Sequence, residues 1–173
     1  MIGIVLITIL VIGYFLILNS KVKNKGATLI EKTVTAILST LVLSLYLAFI
    51  GYTPVEEKQA GIGYNSFEGL FIVFLMYSLP VFLICGSLYS FFVDIYLDNI
   101  HFRTALLKYI FGFLVYLAGG LFIVGLFFTI IFLIEGSLNG LLISAIFKGA
   151  ILPSLLFYHI SLFSKKVLKF TSR

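Results

Sequence analysis

Residues 105–134 read ALLKYIFGFLVYLAGGLFIVGLFFTIIFLI, a run in which Lys108 is the one charged side chain. A helix needs about 20 mostly apolar residues to cross the hydrocarbon core of a bilayer, and this run is longer than that. Because the run is continuous and does not alternate between apolar and polar positions, it favours a transmembrane helix over a barrel strand. The sequence therefore predicts an all-α, polytopic transmembrane helical bundle.

Four further apolar runs have the same character, and together they predict a single integral membrane domain over residues 1–173. The predicted spans are residues 2–18, 28–50, 67–93, 105–134 and 141–163. The composition agrees with this prediction, since 61% of the residues are hydrophobic and 11% are charged. A soluble domain has about 25% charged residues, so the expected solvent for this chain is the lipid bilayer.

The basic residues predict an orientation with the N-terminus outside and the C-terminus in the cytoplasm, because cytoplasmic loops collect Lys and Arg. When the predicted spans alternate in direction, one side receives Lys21, Lys23, Lys25, Lys32, Arg103, Lys108, Lys165, Lys166, Lys169 and Arg173. Of the remaining basic residues, Lys58 lies on the other side and Lys148 lies inside the fifth span. The net charge of +5 is therefore explained mostly by topology, and no nucleic-acid partner is expected.

Small residues and prolines predict how the helices pack. Ala105, Gly112 and Gly119 recur every seven residues in the fourth span, which places them on one stripe. Such a stripe predicts a packing face for a neighbouring helix, with a dimer contact as the alternative. Pro80 and Pro153 lie inside the third and fifth spans and predict kinks, which are either structural or part of a gate or cavity.

Lys148 and His159 are the candidate residues for a substrate or ion pathway, because a charge inside a span is costly to keep there. Lys148 lies roughly 10 Å into the fifth helix. Its ammonium either reaches the outer headgroups, pairs with Glu135 or Glu68, or contributes to a substrate, lipid-phosphate or ion site. His159 is expected on the same face, either as a simple hydrogen-bonding residue or as a proton relay or ligand.

The charged residues between the third and fourth spans form a candidate metal site. Asp94, Asp98 and His101 follow the i, i+4, i+7 spacing of one helical face, which could hold a divalent ion. Acidic residues at a helix C-terminus are disfavoured by the helix dipole, however, so residues 94–104 are predicted to form a solvated turn. No metal site, cofactor or catalytic residue is predicted, since the sequence has no H-E-x-x-H, G-x-S-x-G or Walker motif.

The stretch from Phe67 to Ile100 carries a resemblance to known proteins. It contains the segments Tyr77-Ser78-Leu79-Pro80 and Ser87-Leu88-Tyr89-Ser90, followed by Val93-Asp94. This pattern resembles uncharacterised small multi-spanning membrane proteins of Bacillus-type bacteria and their prophages. The resemblance implies a location in a bacterial plasma membrane and implies nothing about mechanism.

Three functions remain open at this point. The leading hypothesis is a non-enzymatic membrane protein of accessory or immunity type, which binds a membrane-protein partner or a second copy of itself. The alternative is a small transporter or channel component that works as an oligomer, based on Lys148, Pro153 and His159. The third is an intramembrane enzyme with Asp94, Asp98 and His101 at its rim.

Overall fold

The computed structural model of the chain describes residues 25–54, 66–135 and 147–171. Five α-helices and two π-helical turns make up this part of the chain. They are α1 (Lys25–Gly51), α2 (Phe67–Val81), π1 (Phe82–Gly86), α3 (Ser87–Asn99), α4 (Ala105–Glu135), π2 (Phe147–Ile151) and α5 (Leu152–Thr171). The predicted span 2–18 and the first residues of the predicted span 141–163 lie outside the described residues.

Most of the described residues are helical and none of them lies in a β-strand, which confirms the all-α prediction for this part of the chain. Three helices are long and apolar enough to cross a membrane: Thr28–Gly51, Phe67–Asn99 and Ala105–Leu126. The number of five spans and the orientation of the chain stay predictions.

The third predicted span is longer than the sequence indicated. Helix α3 continues to Asn99, so the turn predicted to begin at Asp94 begins at Ile100 instead. The reason is electrostatic, because lysines from other helices pair with Asp94 and Asp98. These pairs offset the unfavourable interaction of a carboxylate with the C-terminal end of a helix dipole.

Helix geometry changes next to both predicted kink sites. Pro80 has no backbone N–H to donate, and π1 begins two residues after it. The Ser87 hydroxyl donates a hydrogen bond of 3.3 Å to the carbonyl oxygen of Phe82, at the start of π1. In the second case π2 ends at Ile151, two residues before Pro153. Both departures from α-geometry are therefore associated with a proline, as is common for π-turns and kinks.

Helix α1 is the centre of the bundle, since it packs extensively against α2, π1, α3 and α5. Helix α4 packs against α3, π2 and α5, so α1, α3, α4 and α5 form a closed ring. Helix α2 packs mainly on α1, and none of its residues is buried. Helix α3 is consequently packed between neighbours in the ring, whereas α2 is packed mainly on one side, against α1.

Candidate functional site

Lys32 lies inside the bundle, where only 1% of its side chain is exposed. Its ammonium group donates to the carboxylate of Asp94, to Glu31 Oε1 at 3.1 Å and to Ser161 Oγ at 3.2 Å. A lysine ammonium has three N–H donors, so these contacts satisfy all of them. Burial of this charge is tolerated because it is both paired and fully hydrogen-bonded.

Asp94 connects three helices through its carboxylate. One oxygen binds Lys32 of α1, and the other lies 2.6 Å from the ammonium nitrogen of Lys165 on α5. Together with Glu31, the group holds two positive and two negative charges and is therefore neutral. We call Glu31, Lys32, Asp94 and Lys165 the ion-pair cluster.

A second ion pair lies at the same end of the bundle and joins α3 to α4. Lys108 Nζ is 2.8 Å from Asp98 Oδ1, and both side chains are substantially exposed. This pair is therefore a surface contact that contributes at most about 1 kcal/mol. The buried cluster is the dominant electrostatic feature of this end.

A cavity of about 450 Å³ opens beside the ion-pair cluster, between α1, α3, α4 and α5. We call it the charged cavity. Its charged lining residues are Glu31, Asp94, Asp98, Lys108 and Lys165, and its aromatic ones are Phe91, Tyr109, Tyr116 and Tyr158. The cavity thus combines carboxylates, ammonium groups and aromatic rings.

A second cavity of about 290 Å³ lies between α1, α2, π1, α4, π2 and the first turns of α5. We call it the apolar crevice. Its lining includes Leu43, Leu47, Phe74, Tyr77, Phe82, Gly120, Gly149 and Pro153. The crevice is located where α2 departs from the closed ring, next to both π-turns. It can accept an apolar group, because most of its lining side chains are apolar.

Tyr116 lines both the charged cavity and the apolar crevice. Its hydroxyl is hydrogen-bonded to Ser90 Oγ, and only 4% of the residue is exposed. Its ring centroid lies 5.0 Å from that of Tyr158 and 6.4 Å from that of Phe157. One well-packed side chain therefore forms part of the wall between two chemically different spaces.

The two predicted pathway residues lie in the C-terminal helical segment. Lys148 lies in π2, and its side chain is outside the described part of the structure. His159 is exposed; its Nδ1 is 2.7 Å from the carbonyl oxygen of Leu155, and its Nε2 is 3.1 Å from the Tyr109 hydroxyl. His159 therefore lies beside the charged cavity and not in the apolar crevice. A pathway role for either residue stays a prediction.

The predicted small-residue stripe is divided between packed and exposed positions. Gly112 and Gly119 are buried against Tyr158 and Tyr89, and a methyl group at either position would overlap these rings. Ala105 is exposed at the start of α4 and borders the charged cavity. The two glycines allow close approach of aromatic side chains, whereas Ala105 does not take part in this packing.

The three residues considered as metal ligands are not brought together. Asp94 and Asp98 bind lysines, and His101 lies beyond the end of α3 and is exposed. The described residues contain no group of three His, Cys, Asp or Glu side chains that could hold a metal ion.

Sequence reasoning assigned Lys32 to the topology signal and missed its position in the site. A signal was present, since Lys32 lies within the predicted span 28–50 and a charge inside a span indicates a functional or structural partner. The partner itself, Asp94, is 62 residues away in the sequence. Tyr116 was missed because nothing in an apolar run distinguishes a wall residue from an ordinary packing residue.

No protein-family model, curated protein or solved structure matches this chain closely enough to assign it to a family.

The ion-pair cluster generates a stability prediction. Replacing Asp94 by Asn leaves the buried Lys32 charge without its main counter-ion, which is expected to cost about 3–5 kcal/mol. Replacing Asp98 by Asn removes only an exposed pair, which is expected to cost about 0–1 kcal/mol. Thermal unfolding of the purified variants in detergent measures both changes. Equal losses for the two variants would contradict the assignment of Asp94 as the buried anchor.

Proposed function

We propose that the chain is a multi-pass protein of a bacterial plasma membrane, with five spans, its N-terminus outside and its C-terminus in the cytoplasm. Three sufficiently long apolar helices support the membrane location. Lys32, Lys108 and Lys165 gather at one end of the bundle, as expected for a cytoplasmic end. A reporter that is active only in the cytoplasm is expected to be active when it follows Arg173. Activity of the same reporter placed before Met1 would contradict the orientation.

We infer that the protein is a transport component in which a solute passes between the charged cavity and the apolar crevice. The observation that carries this inference is the position of Tyr116, which lines both spaces. Among the described residues, the two spaces have no other lining residue in common. Rotation of a side chain is a small motion compared with rearrangement of helices. Displacement of the Tyr116 ring would therefore connect them.

The surrounding contacts keep this wall closed in the structure. Ser90 holds the Tyr116 hydroxyl, and the rings of Phe157 and Tyr158 pack against it. The ion-pair cluster fixes α1, α3 and α5 around the same region. Because few helices surround the pathway, the proposal includes a homo-oligomer or a partner subunit that completes it.

Replacing Tyr116 by Ala is expected to open a leak between the two spaces, because the wall loses the side chain that lines both of them. The measurement is release of trapped potassium ions from proteoliposomes that contain the purified variant. Tyr89→Ala is the matched control, since Tyr89 lines the apolar crevice but not the charged cavity. Tyr116→Phe keeps the ring and is expected to leak less than Tyr116→Ala.

The comparison between the two tyrosines decides the outcome of this experiment. Rapid release with Tyr116→Ala and slow release with Tyr89→Ala supports a pathway past Tyr116. Identical release from both variants, or no release from either, would remove the transport proposal. Correct folding of each variant is checked by size-exclusion chromatography before reconstitution.

A second candidate function is favoured by the exposed face of α2. Val73, Met76 and Tyr77 share this face, and Tyr77 is 76% exposed about 15 Å into the candidate span Phe67–Asn99. A hydroxyl at that depth in hydrocarbon gains from a partner, and helices associate through such groups and through small residues. Gly149 lines the adjacent crevice and leaves room for close approach. We propose the transmembrane helix of an accessory or target protein as the occupant, which is the accessory or immunity-type function.

Photocrosslinking tests this second function. Benzoylphenylalanine, a photoreactive residue, is placed at position 77. Illumination of native membranes is then expected to produce an adduct with a single partner protein that is about as abundant in the membrane as this protein. Tyr46, which is exposed on α1, is the control position and is expected to give no such adduct. Gly149→Leu fills the crevice and is expected to abolish the adduct at position 77. An adduct that survives Gly149→Leu would contradict docking in the crevice.

A further inference from the structure

Lys32 and Lys165 both form ion pairs with Asp94, but their side chains differ in exposure. This difference indicates a cation-binding site. Lys32 is 1% exposed and has all of its donors satisfied, so it is a permanent counter-ion. Lys165 is 31% exposed and reaches Asp94 from the wall of the charged cavity. A long lysine side chain can turn its ammonium outward to water. The Lys165 ammonium can therefore leave its Asp94 oxygen and be replaced there by another cation.

Aromatic rings line the same cavity as Lys165. Phe91, Tyr109 and Tyr158 line the same cavity, and the ring centroids of Tyr109 and Tyr158 are 5.7 Å apart. The faces of aromatic rings attract ammonium groups, most strongly where water is excluded. Asp98 and Glu31 add two further carboxylates to the lining. Carboxylates combined with aromatic rings are the recognition chemistry of organic cations.

The charge arrangement favours a cation over an anion in this cavity. An anion would have to draw Lys165 away from Asp94 or Lys108 away from Asp98. It would then lie close to the carboxylate that this lysine had neutralised, which is repulsive. A cation that takes the place of the Lys165 ammonium restores the ion pair with Asp94 instead.

We propose that the charged cavity is a binding site for a small organic ammonium ion, which replaces the Lys165 ammonium at Asp94 and packs against the rings of Tyr109 and Tyr158. This inference deepens the transport proposal, on which it rests, by naming the class of solute. The apolar crevice beyond Tyr116 suits the hydrocarbon part of such a cation once the Tyr116 ring is displaced. In the empty site the Lys165 ammonium occupies Asp94, and it therefore competes with the ligand for this carboxylate.

Equilibrium binding of benzyltrimethylammonium to the purified full chain in lipid nanodiscs tests the proposal. Lys165→Met removes the competitor and is expected to tighten binding about tenfold, the value of one charge-assisted contact. Lys166→Met is the matched control, because Lys166 is exposed and does not line the cavity. Tyr109→Leu removes one ring and is expected to weaken binding without removing any charge.

Two further ligands test whether binding depends on the positive charge of the ligand. Neopentylbenzene has the same shape without the charge, and phenylphosphate carries a negative charge. Saturable binding of benzyltrimethylammonium alone supports the site. Absence of saturable binding to Lys165→Met, equal affinities of Lys165→Met and Lys166→Met, or preferential binding of phenylphosphate would each overturn it.

Binding and flux distinguish this inference from the transport proposal. Cation binding without a leak through Tyr116→Ala would support the site and remove the pathway. A leak through Tyr116→Ala with no cation binding would support the pathway and remove the site.

Discussion

The buried contact between Lys32 and Asp94 is the constraint around which the bundle is arranged. An ammonium group in a low-dielectric interior needs a counter-ion and acceptors for all of its donors. Asp94 on α3, Ser161 on α5 and the adjacent Glu31 provide them. These partners come from three helices, so α1, α3 and α5 must meet at one end of the structure. Lys165 adds a second, more exposed contact to the same carboxylate.

Closure at this end has consequences for the rest of the fold. Pro80 near the end of α2 and the π-turn after it separate two halves of one long helix, and only its α3 half joins the closed ring. Helix α2 stays on α1 and leaves the apolar crevice beside α4. Tyr116 then lies between a charged space and an apolar one. The same arrangement underlies the proposed pathway and the proposed ammonium site.

The sequence predicts the helical class well and the site only in part. Uninterrupted apolar runs such as residues 105–134 leave few alternatives to membrane helices. The extension of α3 to Asn99 depends on lysines distant in sequence, so local dipole arguments predicted a turn there. Gly112 and Gly119 were recognised as packing positions, but their aromatic partners depend on tertiary structure. Lys32 was predictable as an unusual charge within a span, whereas its pairing across 62 residues was not.

A double-mutant cycle between Lys32 and Asp94 tests the central role of this contact. The measured quantity is the free energy of unfolding in detergent for Asp94→Asn, Lys32→Met and the double variant. If the cost of Asp94→Asn comes from an unpaired buried ammonium, the double variant recovers most of the stability that Asp94→Asn loses, because it no longer contains that charge. Losses that simply add in the double variant would show that the two residues are independent, and would contradict the account.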